Sequence, residues 1–299
     1  MQVKQSSFKT FLMIASLVTI WGLAWPIFKI SLDYAPPLIF AGLRNLGGGL
    51  LLFLLFLSKW KEIRWKSTWP IYLISSFFNV IIYYGLQAYG LVLMPSGLFS
   101  IIVYLQPVLV GILAWRWLGD AITAHKIAGL IFGFLGVAAV SFKEVSSHIA
   151  VAGIIMALIT AVSWAIGAIY VKKVTHQVNS IWLAAIQCII GGIVITTIGS
   201  FTENWSAIAW DSAFILCFLY GSVLGISVAW VIYFHLVHHG DSSIVASYTF
   251  IVPLIAVISG TFLLQEAFTL PILIGLIFII TSIYLVNRKP KASVTASIV

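Results

Sequence analysis

The side chains able to do chemistry in this 299-residue chain are few, and their settings decide what they could do. Asp120 and Glu266 are each followed three residues later by a threonine, Thr123 and Thr269. Deep in a membrane such carboxylates would carry protons. In a turn they instead accept hydrogen bonds from the starts of helices five and ten, with the threonines as caps. Their position beside polar turns favours capping. Arg44 is the strongly charged residue that stands well inside an apolar run. A charge there is a functional candidate, and a guanidinium fork suits a carboxylate. Arg44 also lies within roughly 10 Å of the end of its run, at about 1.5 Å per residue. Snorkelling outward or pairing with Asp33 is therefore the competing reading. His235, His238, His239 and Asp241 could be imagined as metal ligands. The simpler reading ends a helix at Gly240 and starts the next with Asp241 or Ser242 as cap, so no metal and no cofactor is expected. His235 could titrate near neutrality.

No catalytic constellation is present. There is no Gly-x-Ser-x-Gly, no His-Glu-x-x-His and no pair of carboxylates at one membrane depth, so no catalytic residue is assigned and an enzyme is disfavoured. Neutral polar and aromatic residues suggest binding. Asn79 and Tyr83, four apart, share a helix face, with Tyr84 and Gln87 nearby. Tyr104 and Gln106 do the same for a fourth apolar run, and Ser227, Trp230 and Tyr233 for an eighth. Each could instead bond a neighbouring helix. Trp21 and Trp164 fall near the middle of their runs, whereas Trp usually sits at membrane interfaces. A buried indole N–H needs a partner, so a polar cavity suits them, with helix packing as the alternative. Trp25, Trp60, Trp65, Trp69, Trp205 and Trp210 read as interfacial anchors. Pro107 and Pro253 each remove a helix hydrogen bond. The carbonyls freed belong to Val103 and Thr249, which adds Thr249 to the candidate lining and makes both prolines candidate kinks.

The elements that must position these residues follow from composition. The chain is 62% hydrophobic and 8% charged, with mean hydropathy +1.11, against about 25% charged for a soluble domain. Its solvent is lipid. The net charge of +8 is too dispersed to bind nucleic acid. Cys188 and Cys217 lie in apolar runs and read as core residues. Ten runs approach the roughly 20 apolar residues that a span needs, at about 10–30, 37–57, 70–90, 95–116, 125–142, 150–171, 180–200, 211–236, 242–263 and 270–287. They do not alternate as barrel strands would, so the expectation is an all-α polytopic membrane protein with ten transmembrane helices. The first run is read as retained, not as a cleaved signal. With the N-terminus inside, thirteen Lys and Arg fall on inner segments and two, Lys29 and Lys143, on outer ones. That asymmetry places both termini in the cytoplasm.

The chain also repeats. Residues 14–52 align with 157–195 at an offset of 143, matching Trp21 to Trp164, Lys29 to Lys172, Arg44 to Gln187 and Gly48-Gly49 to Gly191-Gly192. Later the offset is 146, with Ser96 on Ser242, Pro107 on Pro253, Asp120 on Glu266 and Gly129 on Gly275. Five spans per copy is odd, so the second copy must enter from the opposite face. The domains expected are residues 1–145 and 146–290, two inverted five-helix repeats, followed by a disordered tail at 291–299.

Gly119-Asp120-Ala121-Ile122-Thr123 with Gly129, and Gln265-Glu266-Ala267-Phe268-Thr269 with Gly275, complete the picture. On this motif and architecture the chain resembles the drug/metabolite transporter superfamily, EamA type, over roughly residues 10–287. It departs from the pattern at Asp120, where that family usually has Glu, and at Gln265, where it usually has Gly. The resemblance implies a carrier of small metabolites, often an exporter of amino acids and related compounds. It also implies a cavity lined mainly by helices one, three, four, six, eight and nine. The partners expected are a small-molecule substrate and the lipid bilayer, with a homodimer left open. Alternating access follows from the inverted copies. A multidrug exporter is the alternative within the class, disfavoured because no Asp or Glu lies at mid-membrane; a membrane-embedded enzyme is the alternative outside it.

Overall fold

The computed structural model describes residues 7–119, 123–141, 148–239, 249 and 251–287; among these the chain is helical, without strands. The expectations for Lys4, Asp120, Lys143, Glu144, Gly240, Asp241, Ser242, Arg288 and the tail from Lys289 lie outside the described residues, as do the side chains of His238 and His239. The helices are α1 (Ser7–Ile30), α2 (Pro37–Leu55), α3 (Trp65–Leu93), α4 (Ser96–Leu118), α5 (Ala124–Ser141), α6 (His148–Val174), α7 (Ser180–Thr202), α8 (residues 212–239), α9 (Ile251–Leu264) and α10 (Leu270–Asn287). Seven of them, α1 to α4 and α6 to α8, are long and apolar enough to cross a membrane, while α5, α9 and α10 are apolar but shorter. Leu54, Phe201, Leu216 and Phe262 face outward, which suits a lipid solvent. The chain is a multi-pass membrane protein.

Two helix starts are capped from a distance. Pro37 opens α2 with its φ already set, and no side chain of the adjoining turn caps it. The Glu203 carboxylate does so, accepting from Leu38 N and Ile39 N at 2.9 Å each. Glu266 serves α4 in the same way, accepting from Ser96 N and, at 3.0 Å, from Gly97 N. This corrects the expectation that Glu266 serves the start of α10. The packing of α9 against α4 brings the α9–α10 turn onto the uncapped N–H groups that follow Pro95, and a carboxylate there is favoured by both hydrogen bonding and the helix dipole. Thr123 caps α5 as expected, its Oγ1 accepting from Lys126 N at 3.3 Å.

The departure at Gln265 carries a backbone cost. Gly119 ends α4 in the left-handed region at φ +73°, and Gln265, its repeat counterpart, ends α9 at φ +56°. Only glycine adopts that conformation freely. Gln265→Gly should therefore raise stability by about 1 kcal/mol, read as a higher melting temperature in detergent.

Breaks in the helices fall at related places. α3 runs as ordinary helix over Trp65–Ser76, then Phe77–Ile82 winds as a π-helical turn; α8 runs as ordinary helix over Ser212–Leu219 and winds the same way at Tyr220–Val228. The two turns begin 143 residues apart, the offset already seen in the sequence. Such turns are rare and gather at functional sites. In α4 the helix breaks at Tyr104 and Leu105, ahead of Pro107. Leu105 N bonds Ile102 O at 3.1 Å and Val108 N bonds Leu105 O at 3.0 Å, so the ladder tightens there. Pro253 is the third residue of α9, and the Thr249 carbonyl expected to be free accepts from Val252 N at 3.1 Å. A 3₁₀-type bond has taken up the group that proline released.

The two seams of the bundle are built from repeat-equivalent helices. In α2 and α7, a Cβ on Gly192 would stand 2.5 Å from Leu46 N, one on Gly49 2.8 Å from Ile189 N, and one on Gly199 3.0 Å from Ile39 N. Residue numbers rise along one helix as they fall along the other, so α2 and α7 pack antiparallel, backbone close to backbone. The α5–α10 seam has the same sense. Gly129 meets Ser282 and Val286, Gly136 meets Gly275 and Ile279, and the rings of Phe132 and Phe278 are 5.7 Å apart.

Candidate substrate cavity

Between the seams lies a cavity of about 260 Å³. Trp21 of α1, Asn79 of α3, Tyr104, Gln106, Pro107 and Val110 of α4, Trp164, Ala168 and Val171 of α6, Leu183 and Gln187 of α7, Trp230 and Tyr233 of α8, and Thr249 ahead of α9 line it. A chamber of about 60 Å³ shares Trp21, Tyr104, Gln106, Trp164 and Trp230 with it and adds Trp25, Phe28, Arg44, Tyr83, Tyr84 and Gln87. Together they reach the lower end of the roughly 300–1,000 Å³ of ordinary ligand sites. The lining draws on α1, α3, α4, α6 and α8, five of the six helices that the resemblance implied, and on Thr249 just ahead of the sixth; α7, and Arg44 of α2 in the chamber, contribute as well.

The structure thus brings together Trp21, Asn79, Tyr104, Gln106, Pro107, Trp164, Trp230 and Thr249 around the larger space, and Tyr83 and Arg44 around the smaller. Pro253 stays apart, buried in the packing of α9. Residues that the candidate set lacked are Val110, Ala168, Val171, Leu183 and Gln187. The apolar four carry no signal that distinguishes them from any span residue. Gln187 had one: it is the neutral repeat partner of Arg44.

The walls are aromatic. Trp21 lies 6.4 Å from Trp230 and 5.9 Å from Tyr233, and Trp230 and Tyr233 are 5.7 Å apart, edge to face. Opposite them, Trp164 meets Tyr83 at 4.8 Å and Trp230 at 6.2 Å. Trp230 therefore links the two repeat-equivalent tryptophans. Two of these pairings are T-shaped, one is stacked and two are tilted, with separations in the range of stable aromatic clusters. They leave π faces and ring edges toward the space, a surface suited to an apolar or cationic group.

The polar groups divide between the two ends. Near Asn79, Gln187 Oε1 accepts from Ser75 Oγ at 2.6 Å and from Asn79 Nδ2 at 3.5 Å, and Asn79 Nδ2 also donates to Ser75 Oγ at 3.1 Å. Gln106 Oε1 is buried without a partner among the described residues. Arg44 is 2% exposed, and its Nη2 donates to Gln87 Oε1 at 3.0 Å. It neither snorkels nor pairs with Asp33, because Gln87 and the faces of Phe28 and Tyr84 hold it inside the bundle. Trp25 is a second correction. It is 3% exposed and packs 5.9 Å from Phe99, so it is a chamber wall and not an interfacial anchor. Trp60, Trp65, Trp69, Trp205 and Trp210 are exposed as expected. Ser227 takes the alternative reading, donating to Gly48 O at 2.9 Å across the helix interface. Among the described residues no three His, Cys, Asp or Glu gather as a metal site. Cys188 and Cys217 are free and buried.

The two ends of the cavity differ. The larger space runs toward the ends of α4 and α6 that carry Arg116, Lys172 and Lys173, past Val110, Val171 and Leu183. At the opposite end side chains tie helix ends together. Glu203 holds α2, Glu266 holds α4, and Lys29 Nζ donates to the carbonyls of Leu91 and Met94 at the end of α3.

The comparisons with known proteins fit this architecture. The EamA-like transporter family model matches the chain twice, over residues 8–142 and 151–288. The chain belongs to the EamA-like transporter family; it is a transporter and not an enzyme. "Uncharacterized transporter YvbV" of Bacillus subtilis (strain 168) is 48% identical over 290 residues, covering 97% of this chain and 95% of the relative. "Probable amino-acid metabolite efflux pump" of Escherichia coli (strain K12) is 26% identical over 281 residues, covering 90% of this chain and 91% of the relative. A solved crystal structure with 16% sequence identity superposes with TM-score 0.68, covering 94% of this chain and 96% of its own. At that identity it speaks for the fold alone.

Proposed function

We propose that this chain is a secondary carrier of small organic metabolites in the cell membrane, built as two inverted five-helix repeats, residues 1–145 and 146–290, and working by alternating access. The observation that carries the reading is a cavity with walls from both repeats, between seams in which repeat-equivalent helices run antiparallel. The paired family matches, at 8–142 and 151–288, and the π-helical turns at a common offset support the same division. Helices α5, α9 and α10 complete ten spans, and both termini face the cytoplasm, in keeping with the distribution of Lys and Arg. On this orientation the cavity opens inward, and Lys29, Glu203 and Glu266 close the outer side. Exchange of the two repeats' conformations would open the other side.

Amphipathic substrates such as amino acids are the leading class, with export favoured. An aromatic wall, one fixed guanidinium and an unpartnered Gln106 carbonyl form a site for a molecule that carries an apolar body, an acceptor and a donor. The name of the Escherichia coli relative points the same way. The experiment is purified protein in liposomes loaded with a cell extract and followed by mass spectrometry. The reading requires release of unmodified solute that depends on the protein. Release of a chemically altered product, or no protein-dependent release, would refute it.

A further inference from the structure

Arg44 is a fixed charge without a counter-charge. Among the described residues no carboxylate pairs with it; its neighbours are Gln87, Phe28, Tyr84, Tyr83 and Cys188. Gln87 engages one nitrogen at 3.0 Å, and the rings of Phe28 and Tyr84 lie 3.8 Å and 4.6 Å from Cζ. These contacts fix the orientation of the guanidinium without neutralising it. Nε, on the edge of the fork, is buried and has no hydrogen-bond partner among the described residues. A buried ion with no partner is costly, and intramembrane charges are kept where they meet a partner. Its repeat counterpart Gln187 is neutral and already bonded to Ser75 and Asn79. Of the two equivalent positions, the one in the chamber therefore carries a buried cation and the one beside Asn79 is neutral.

We infer that the Arg44 chamber is the subsite for a carboxylate or an equivalent monoanionic head on the transported solute, with the solute's apolar body lying in the aromatic cavity behind it. The inference rests on the carrier reading and names the substrate class for that site. The chamber, at about 60 Å³, holds a few waters at roughly 10–15 Å³ of such space each. That is room for a head group and not for a whole metabolite. A guanidinium presents paired N–H donors that match a carboxylate. The head would enter from the open, basic end of the cavity and stop at Arg44, next to the closed end.

The test uses proteoliposomes and three probes of one shape: 3-phenylpropanoate, its primary amide, and 2-phenylethylamine. Each competes for protein-dependent release of whichever extract solute the wild type moves. The expected result is that the carboxylate competes at least tenfold better than the amide or the amine. Arg44→Gln should erase that preference while leaving the amide's weak competition in place, and Arg44→Lys should keep part of it. Equal competition by all three probes, or an Arg44→Gln protein that still prefers the carboxylate, would overturn the assignment and leave the carrier reading standing. If the wild type moves nothing, both fall. Should Arg44→Gln fail to fold, Gln87→Leu, which frees the guanidinium from its tether, must weaken the carboxylate preference; an unchanged preference would again overturn the assignment.

Discussion

Trp164→Ala should leave a folded protein whose apparent affinity for its solute is ten- to a hundredfold weaker, about 1.4–2.8 kcal/mol. Trp164 closes one wall of the cavity through Tyr83 at 4.8 Å and joins the opposite wall through Trp230 at 6.2 Å. Removing the indole takes away contact surface and loosens both neighbours. Trp21→Ala should act similarly, since Trp21 braces Trp230 and Tyr233 from the other repeat. Trp164→Phe should fall in between. The measurement is the concentration dependence of transport in liposomes, with thermal unfolding run alongside to show that the fold survives. If neither alanine variant changes transport, the aromatic cavity is not the substrate path.

Gly192→Ala should be among the most damaging single changes of one methyl group, costing about 2–3 kcal/mol or more. The added Cβ would stand 2.5 Å from Leu46 N and 2.8 Å from Leu46 Cα, both backbone atoms that cannot turn aside. The α2–α7 seam would have to separate along its length, since Gly49 and Gly199 hold the same spacing on either side of it. Gly85 gives the contrast. It also sits within a helix, yet a Cβ there meets nothing within 4 Å, so Gly85→Ala should be neutral or stabilising by up to about 1 kcal/mol. Folded yield after detergent extraction and the melting temperature of each variant decide the matter. Equal behaviour of the two would mean that the seam is not close-packed.

Much of this was legible from residue type and spacing. The repeat offsets aligned Gly48-Gly49 with Gly191-Gly192, and those pairs belong to the seam helices. Aromatic and amide residues in the middle of apolar runs pointed to the lining, because lipid gives such groups no reason to be there. What stayed hidden depended on which helix faces which. Nothing local tells that Glu266 reaches back to Ser96 and not forward into α10, or that Glu203 holds α2. Trp25 looked interfacial from its distance along α1, but the face it occupies turns it toward Phe99. Arg44 was close enough to an end to snorkel; only the packing of Phe28, Tyr84 and Gln87 around it keeps it inside. The π-helical turns in α3 and α8 have no residue signature comparable to proline, so they emerged only with the backbone.

The arrangement of the two halves is tested most directly by sidedness. A reporter active only outside the cytoplasm, placed after residue 145 in one protein and after residue 299 in another, reads where each half ends. The inverted scheme requires activity at 145 and none at 299. Activity at both positions, or at neither, would contradict it.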